Sequence, residues 1–194
     1  MNSAAEDEVF GLYKANSPFG GQECFADYLN EQLRRGESLI EPWLSASIRL
    51  DTLILASSVP APIMLYRATI DPFIEPYVRD GRLCYPAYMS TTTELHRVER
   101  HFSSPFRDLT AALLCIDCLD ALPGLDMEQR ASFGGHESEI LLPRAARFDV
   151  AEVEETNDPA EIAAITGPLY ARSYRALSSL KKPLRAPHVL PPPR

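Results

Sequence analysis

Across its 194 residues the chain has no apolar run approaching the roughly 18 residues that a membrane-spanning helix requires. The opening stretch, Met1-Asn2-Ser3-Ala4-Ala5-Glu6-Asp7-Glu8, is acidic and carries no apolar core, so no Sec-type signal is expected. A soluble protein is the expectation. Positive charge is also in deficit: 19 Lys and Arg stand against 27 Asp and Glu, a formal net charge of −8. That balance argues against a binder of nucleic-acid backbone. Any anionic ligand must instead be held by a few placed arginines. Cysteine is scarce, with four residues, Cys24, Cys84, Cys115 and Cys118, too few for a disulfide scaffold. Cys115-Ile116-Asp117-Cys118 is a lone CxxC with no second pair or histidines at zinc-ligand spacing. On a strand its two cysteines face opposite sides, so they read as buried reduced thiols.

What is present is ordinary for a globular protein: 45% hydrophobic and 24% charged residues, in a length that suits one domain with a real core. The spacing divides the domain into three parts. Residues 1–58 read as a helical N-terminal part, with 1–20 loosely ordered around Asn16-Ser17-Pro18 and Gly20-Gly21. From Glu23, the residues Cys24, Phe25, Tyr28, Leu29 and Leu33 form a helical stripe ended by Arg34-Arg35-Gly36. A second helix is expected from Ser38 to about Ser57, with Ile40, Trp43, Leu44, Ser47, Ile48, Leu50, Leu53 and Ile54 as its pattern. Residues 59–155 read as a β core, with strands over 63–69, 85–91, 111–119, 137–142 and 147–153 and a short helix over 96–102. Residues 156–194 hold a short helix over 158–169 and a Pro-rich tail, 181–194, read as polyproline-like.

The stretch that organises these parts is Gly134-Gly135-His136-Glu137-Ser138-Glu139-Ile140-Leu141-Leu142-Pro143. With period 2 as a strand, Glu137 and Glu139 face one way and Ser138, Ile140 and Leu142 the other. Alone, acid-x-acid is compatible with any strand that has a wet face.

It gains meaning from what precedes it. Leu65-Tyr66-Arg67, then Met89-Ser90-Thr91-Thr92, then Glu137-Ser138-Glu139 occur in that order, each on an expected strand. This closely resembles the arginine-type mono-ADP-ribosyltransferases, whose signature is Arg, Ser-Thr-Ser and Glu-x-Glu and which include bacterial toxins and vertebrate ecto-enzymes. The resemblance covers roughly residues 40 to 155. It implies an α+β fold in which two facing, mainly antiparallel sheets form an NAD cleft beside the N-terminal helices. It also implies NAD as co-substrate, a protein acceptor modified on an arginine, and no metal, nucleic acid or membrane partner.

The roles follow residue by residue. A guanidinium suits phosphate oxygens, so Arg67 would grip the NAD diphosphate. The resemblance places Ala68, Thr91 and Thr92 with it on the NAD-binding side, and Ser90 would fix the rotamer of the catalytic glutamate. Glu139 would stabilise positive charge developing on the ribose as nicotinamide leaves. Glu137 would orient and deprotonate the acceptor guanidinium. Phe102 and Arg107 resemble members of a phosphate–nicotinamide loop, and Phe133 a member of the acceptor loop. His96, His101 and His136 read as surface residues. Ala68 stands where the family usually has glycine, and Thr92 where it has its second serine. Two other readings stay open: an NAD glycohydrolase or transferase to another acceptor on the same fold, and a degenerate binding scaffold. Either a cytoplasmic protein or a delivered effector fits the absence of a signal.

Overall fold

A computed structural model describes residues 4–102, 109–128, 138–150, 152–167 and 174–184. Three helices come first: α1 (Ala4–Lys14), α2 (Phe25–Arg35) and α3 (Trp43–Leu55). The expectation of a loosely ordered first 20 residues is overturned by α1. Its Val9, Phe10 and Tyr13 are buried with Phe25 and Leu29 of α2 and Trp43, Leu50 and Ile54 of α3, a burial that the turn residues after it do not announce. Helix α2 ends as expected at Gly36, whose φ of 70° is one that glycine adopts without strain. Helix α3 turns Trp43, Ala46, Leu50, Leu53 and Ile54 inward and leaves Leu44 and Ile48 exposed, as is Ile40 before the helix. Three of the eight positions in the expected pattern therefore face solvent.

The strands are short except for three: β1 (Ser58–Val59), β2 (Ile63–Ile70), β3 (Val78–Arg79), β4 (Arg82–Tyr85), β5 (Met89–Thr92), β6 (Leu109–Cys118), β7 (Leu122–Pro123), β8 (Leu125–Asp126), β9 (Glu139–Leu142), β10 (Ala146–Asp149), β11 (Glu152–Thr156) and β12 (Tyr174–Leu184). Helix α4 (Pro159–Thr166) lies between the last two, capped by Asp158, whose Oδ1 accepts from the Ala160 amide at 2.8 Å. A seven-stranded sheet runs in the order β11-β12-β6-β2-β5-β9-β8, and a three-stranded sheet in the order β10-β4-β3. All described pairings are antiparallel except β12 with β6. Leu65, Met89, Leu114, Ile116 and Leu142 of the large sheet bury against Leu83, Tyr85, Ala146 and Phe148 of the small one. The expected α+β architecture of facing, mainly antiparallel sheets is the one observed.

Several boundaries differ from expectation. The 85–91 segment divides: Tyr85 ends β4 in the small sheet, and β5 begins at Met89 in the large one. The 147–153 segment divides likewise into β10 and β11, on different sheets. Residues 181–184 of the expected tail are the end of β12, which runs beside β6 in the interior of the sheet; residues 185–194 lie outside the described residues. Strand β6 is buried on both faces as expected, with Cys118 at 3% exposed and its thiol pushed up to about 12 by burial. None of the four cysteines is in a disulfide. Among the described residues no helix is long and apolar enough to cross a membrane.

Candidate active site

Strand β5 lies between β2 and β9, and this neighbourhood builds the site. In the β5–β9 ladder Thr92 is opposite Glu139, Thr91 opposite Ile140 and Ser90 opposite Leu141. Directly opposed residues share a face, so Ser90, Thr92 and Glu139 stand on one side, with Ser90 diagonal to Glu139. The diagonal is closed by a hydrogen bond of 2.6 Å from Ser90 Oγ to Glu139 Oε1. On the other face Ile140 and Leu142 are buried in the inter-sheet core and hold the strand's orientation.

The strand is shorter than Glu137 to Leu142. Ser138 has φ of 51° and lies outside β9, its carbonyl accepting from the Thr93 amide and its hydroxyl donating to Glu94 at 2.5 Å. That hydrogen bond and the neighbouring Arg97 hold the half-buried Glu94 carboxyl below its usual range. Strict alternation therefore stops at Glu139. Glu137, Arg107 and Phe133 lie outside the described residues. The backbone of Phe102 ends a 3-10 turn over Leu95–Phe102.

β2 and β5 pair only at Tyr66 and Thr92, so the two strands part beyond that point. Arg67 spans the gap, donating from Nη1 to the Ser90 carbonyl at 2.7 Å, a position where a ladder bond would otherwise fall. Its Nε is buried with no hydrogen-bond partner, and its guanidinium lies 5.7 Å from the centroid of the Tyr85 ring. Tyr66, Arg67, Ala68, Ser90, Thr91, Thr92 and Glu139 wall one pocket of about 40 Å³, room for a few waters. Thr91 donates to the Ile140 carbonyl at 2.8 Å and ties β5 to β9, while Thr92 Oγ1 accepts from the Glu94 amide at 3.2 Å. Six of the sequence-derived candidates, Arg67, Ala68, Ser90, Thr91, Thr92 and Glu139, thus meet in one pocket from three separate strands. Among the described residues no three His, Cys, Asp or Glu side chains come together as a metal site.

No protein-family model matches the sequence, and no curated protein is similar to it by sequence search. Solved structures do match. The Vis toxin of Vibrio splendidus, an ADP-ribosyltransferase solved in complex with agmatine, superposes with a TM-score of 0.58 at 17% identity, over 96% of this chain and 75% of that one. Plx2a, an ADP-ribosyltransferase toxin from Paenibacillus larvae, gives 0.60 at 14% identity, over 94% and 86%. Exoenzyme S from Pseudomonas aeruginosa, solved with human 14-3-3 protein beta and bound to carba-NAD, gives 0.56 at 16% identity, over 95% and 74%. The fold is that of the mono-ADP-ribosyltransferase toxins.

Within this ADP-ribosyltransferase fold the helices hold the two strands of the site through a buried polar network that sequence reading missed. The Tyr88 hydroxyl, immediately before β5, lies 2.7 Å from Asp51 Oδ1 and 3.0 Å from the Ser47 carbonyl of α3. Arg144, two residues after β9, meets the same carboxylate from Nε at 3.0 Å and from Nη2 at 2.6 Å. One aspartate of α3 thus fixes both β5 and β9. Asn30 of α2 adds a third tie, accepting from the Tyr88 amide at 3.1 Å and donating to the Tyr13 hydroxyl at 2.9 Å. Burial, with Asp51 beside it, pushes the Tyr88 phenol well up, and burial raises Tyr13 too. The helical part supplies one more residue directly to the site: Lys14 Nζ lies 2.6 Å from Glu139 Oε2 and 3.3 Å from Glu128 Oε1. A lone lysine at the end of an unexpected helix gives no signal in the sequence.

Proposed function

We propose that this chain is an NAD-dependent mono-ADP-ribosyltransferase that modifies an arginine side chain of a target protein and releases nicotinamide. The observation that carries the reading is the Ser90–Glu139 hydrogen bond beside Arg67, at the point where β2 and β5 part. It is supported by an ADP-ribosyltransferase fold, with relatives solved bound to carba-NAD and to agmatine, a guanidinium compound.

The residues divide the reaction between them. Arg67 keeps a buried N–H without an acceptor, an arrangement that costs free energy unless a ligand or a local shift supplies one. A diphosphate oxygen satisfies it, and the surrounding Ala68, Thr92 and Ser90 bound the dinucleotide's nicotinamide end. Thr91 serves that wall through its tie to β9. Phe102 would stack on the nicotinamide and Arg107 add a phosphate contact. Glu139, held by Ser90, faces the ribose hydroxyls. As the nicotinamide–ribose bond breaks, its electron pair leaves with nicotinamide and positive charge develops on the ribose. A fixed carboxylate stabilises that charge where it forms. Glu137 takes the proton that the acceptor guanidinium loses as its nitrogen bonds to the ribose carbon, with Phe133 against the acceptor. The pocket is below the roughly 300 Å³ of typical ligand sites, so the account requires it to widen when the dinucleotide enters.

The acceptor assignment is tested with NAD labelled in its adenosine half and agmatine as acceptor. Glu137→Gln is expected to lose transfer to agmatine at least about 100-fold while retaining NAD hydrolysis. Unchanged transfer by this variant removes the arginine assignment.

A further inference from the structure

Lys14 is the last residue of α1, and its ammonium is no loose surface charge. Its side chain is 8% exposed. The turn that carries it is pinned by Tyr13, whose ring packs edge-on against Phe25 and Tyr88 and whose hydroxyl accepts from Asn30. From there Lys14 reaches the oxygen of Glu139 that Ser90 leaves: Ser90 holds Oε1 at 2.6 Å and Lys14 holds Oε2 at 2.6 Å.

Two donors on two oxygens do what one donor does not. The terminal torsion of a glutamate is soft, so a carboxylate held by one oxygen still rotates about that contact. A second donor, delivered from a different element, fixes the plane. An ionised carboxylate has about four lone-pair positions, and these contacts use one on each oxygen. One position on each oxygen remains for a ribose hydroxyl, with no displacement of Lys14. The charge arrangement also suits the chemistry. A bare ammonium beside Glu139 would oppose positive charge forming on the ribose, but Lys14 also meets the Glu128 carboxylate, at 3.3 Å. These three groups, one positive and two negative, together carry net negative charge.

We propose that Lys14 is a positioning residue for this reaction, acting through Glu139 as the second clamp opposite Ser90, with Glu128 as its counter-ion. The proposal rests on the transferase reading above.

The test compares nicotinamide release by wild type, Lys14→Met, Lys14→Gln and Lys14→Arg, with kcat and KM for NAD measured separately, and adds Ser90→Ala with and without Lys14→Met. Lys14→Met is expected to lower kcat about 10-fold or more with KM changed less than about 3-fold, as for a group acting on the reacting carboxylate. Lys14→Gln, which keeps an N–H donor on a shorter neutral stem, falls in between, so the test does not depend on one variant folding. Lys14→Arg, which keeps the charge and the donor, recovers most of kcat. The Lys14→Met and Ser90→Ala losses are less than multiplicative, because both act on one carboxylate. Unchanged or raised kcat in Lys14→Met, or a loss confined to KM, overturns the proposal while leaving the transferase reading intact. An inactive wild type removes both, and the two failures are distinguishable.

Discussion

Tyr88 shows how one residue before a strand can anchor the strand that carries Ser90. Its side chain is fully buried, its hydroxyl is bound to Asp51, and Ser90 follows two positions later. Burial and then Asp51 raise its phenol well above 10. The folded state therefore keeps this proton at a pH where the unfolded chain releases it. Stability from this group is fully present below about pH 10 and falls as pH rises through and beyond it. Thermal melts between about pH 8 and pH 11 are expected to show a steep alkaline decline in wild type and a shallower one in Tyr88→Phe, with Tyr13 still contributing. Equal slopes would show that the buried phenol is not what titrates. At this same scale the sequence could be read for Ser90 and Glu139, because period 2 decides which neighbours on a strand share a face. It could not be read for Lys14, Asp51 or Arg144. A lysine 125 positions from its carboxylate has no local pattern, and Asp51 sits among the apolar residues of a helix with nothing local to show that it is paired.

Elements rather than residues explain why the helices belong to the site. Helix α3 holds the start of β5 through Tyr88 and the end of β9 through Arg144, both on the Asp51 carboxylate. Asp51→Asn leaves the Arg144 guanidinium, only 24% exposed, short of its charge partner. This substitution is expected to cost about 2–3 kcal/mol, read as a lower urea midpoint with an unchanged slope. An unchanged midpoint would mean that water replaces the carboxylate without loss. The strands with strong apolar or alternating signals, β2, β6 and β9, were legible, as were α2 and α3. Strand β12 was not, because Ser178-Ser179-Leu180-Lys181-Lys182-Pro183 has neither alternation nor β-branched residues. Its place is set by pairing with β11 and β6, a tertiary fact. The first helix was masked by the Pro and Gly that follow it, although its own buried residues form a helical face. The division of 85–91 and 147–153 between sheets likewise reflects packing that a window along the chain does not register.

For the whole molecule, a net charge of −8 leaves little general attraction for an anionic dinucleotide, so the proposed NAD binding would rest on local cations such as Arg67. Fold alone does not decide chemistry; here Lys14, Arg67, Ser90 and Glu139 are brought together from four separate elements. Arg67, Ser90 and Glu139 wall one pocket and Lys14 holds the Glu139 carboxylate, which makes that carboxylate the centre of the account. The most direct measurement is nicotinamide release from NAD by wild type and by Glu139→Gln, with folding of both checked by thermal melting. Wild type is expected to cleave NAD, and Glu139→Gln to be slower by roughly 100-fold, about 3 kcal/mol of lost charge stabilisation. Equal rates in the two folded proteins, or no cleavage by wild type, would contradict the account.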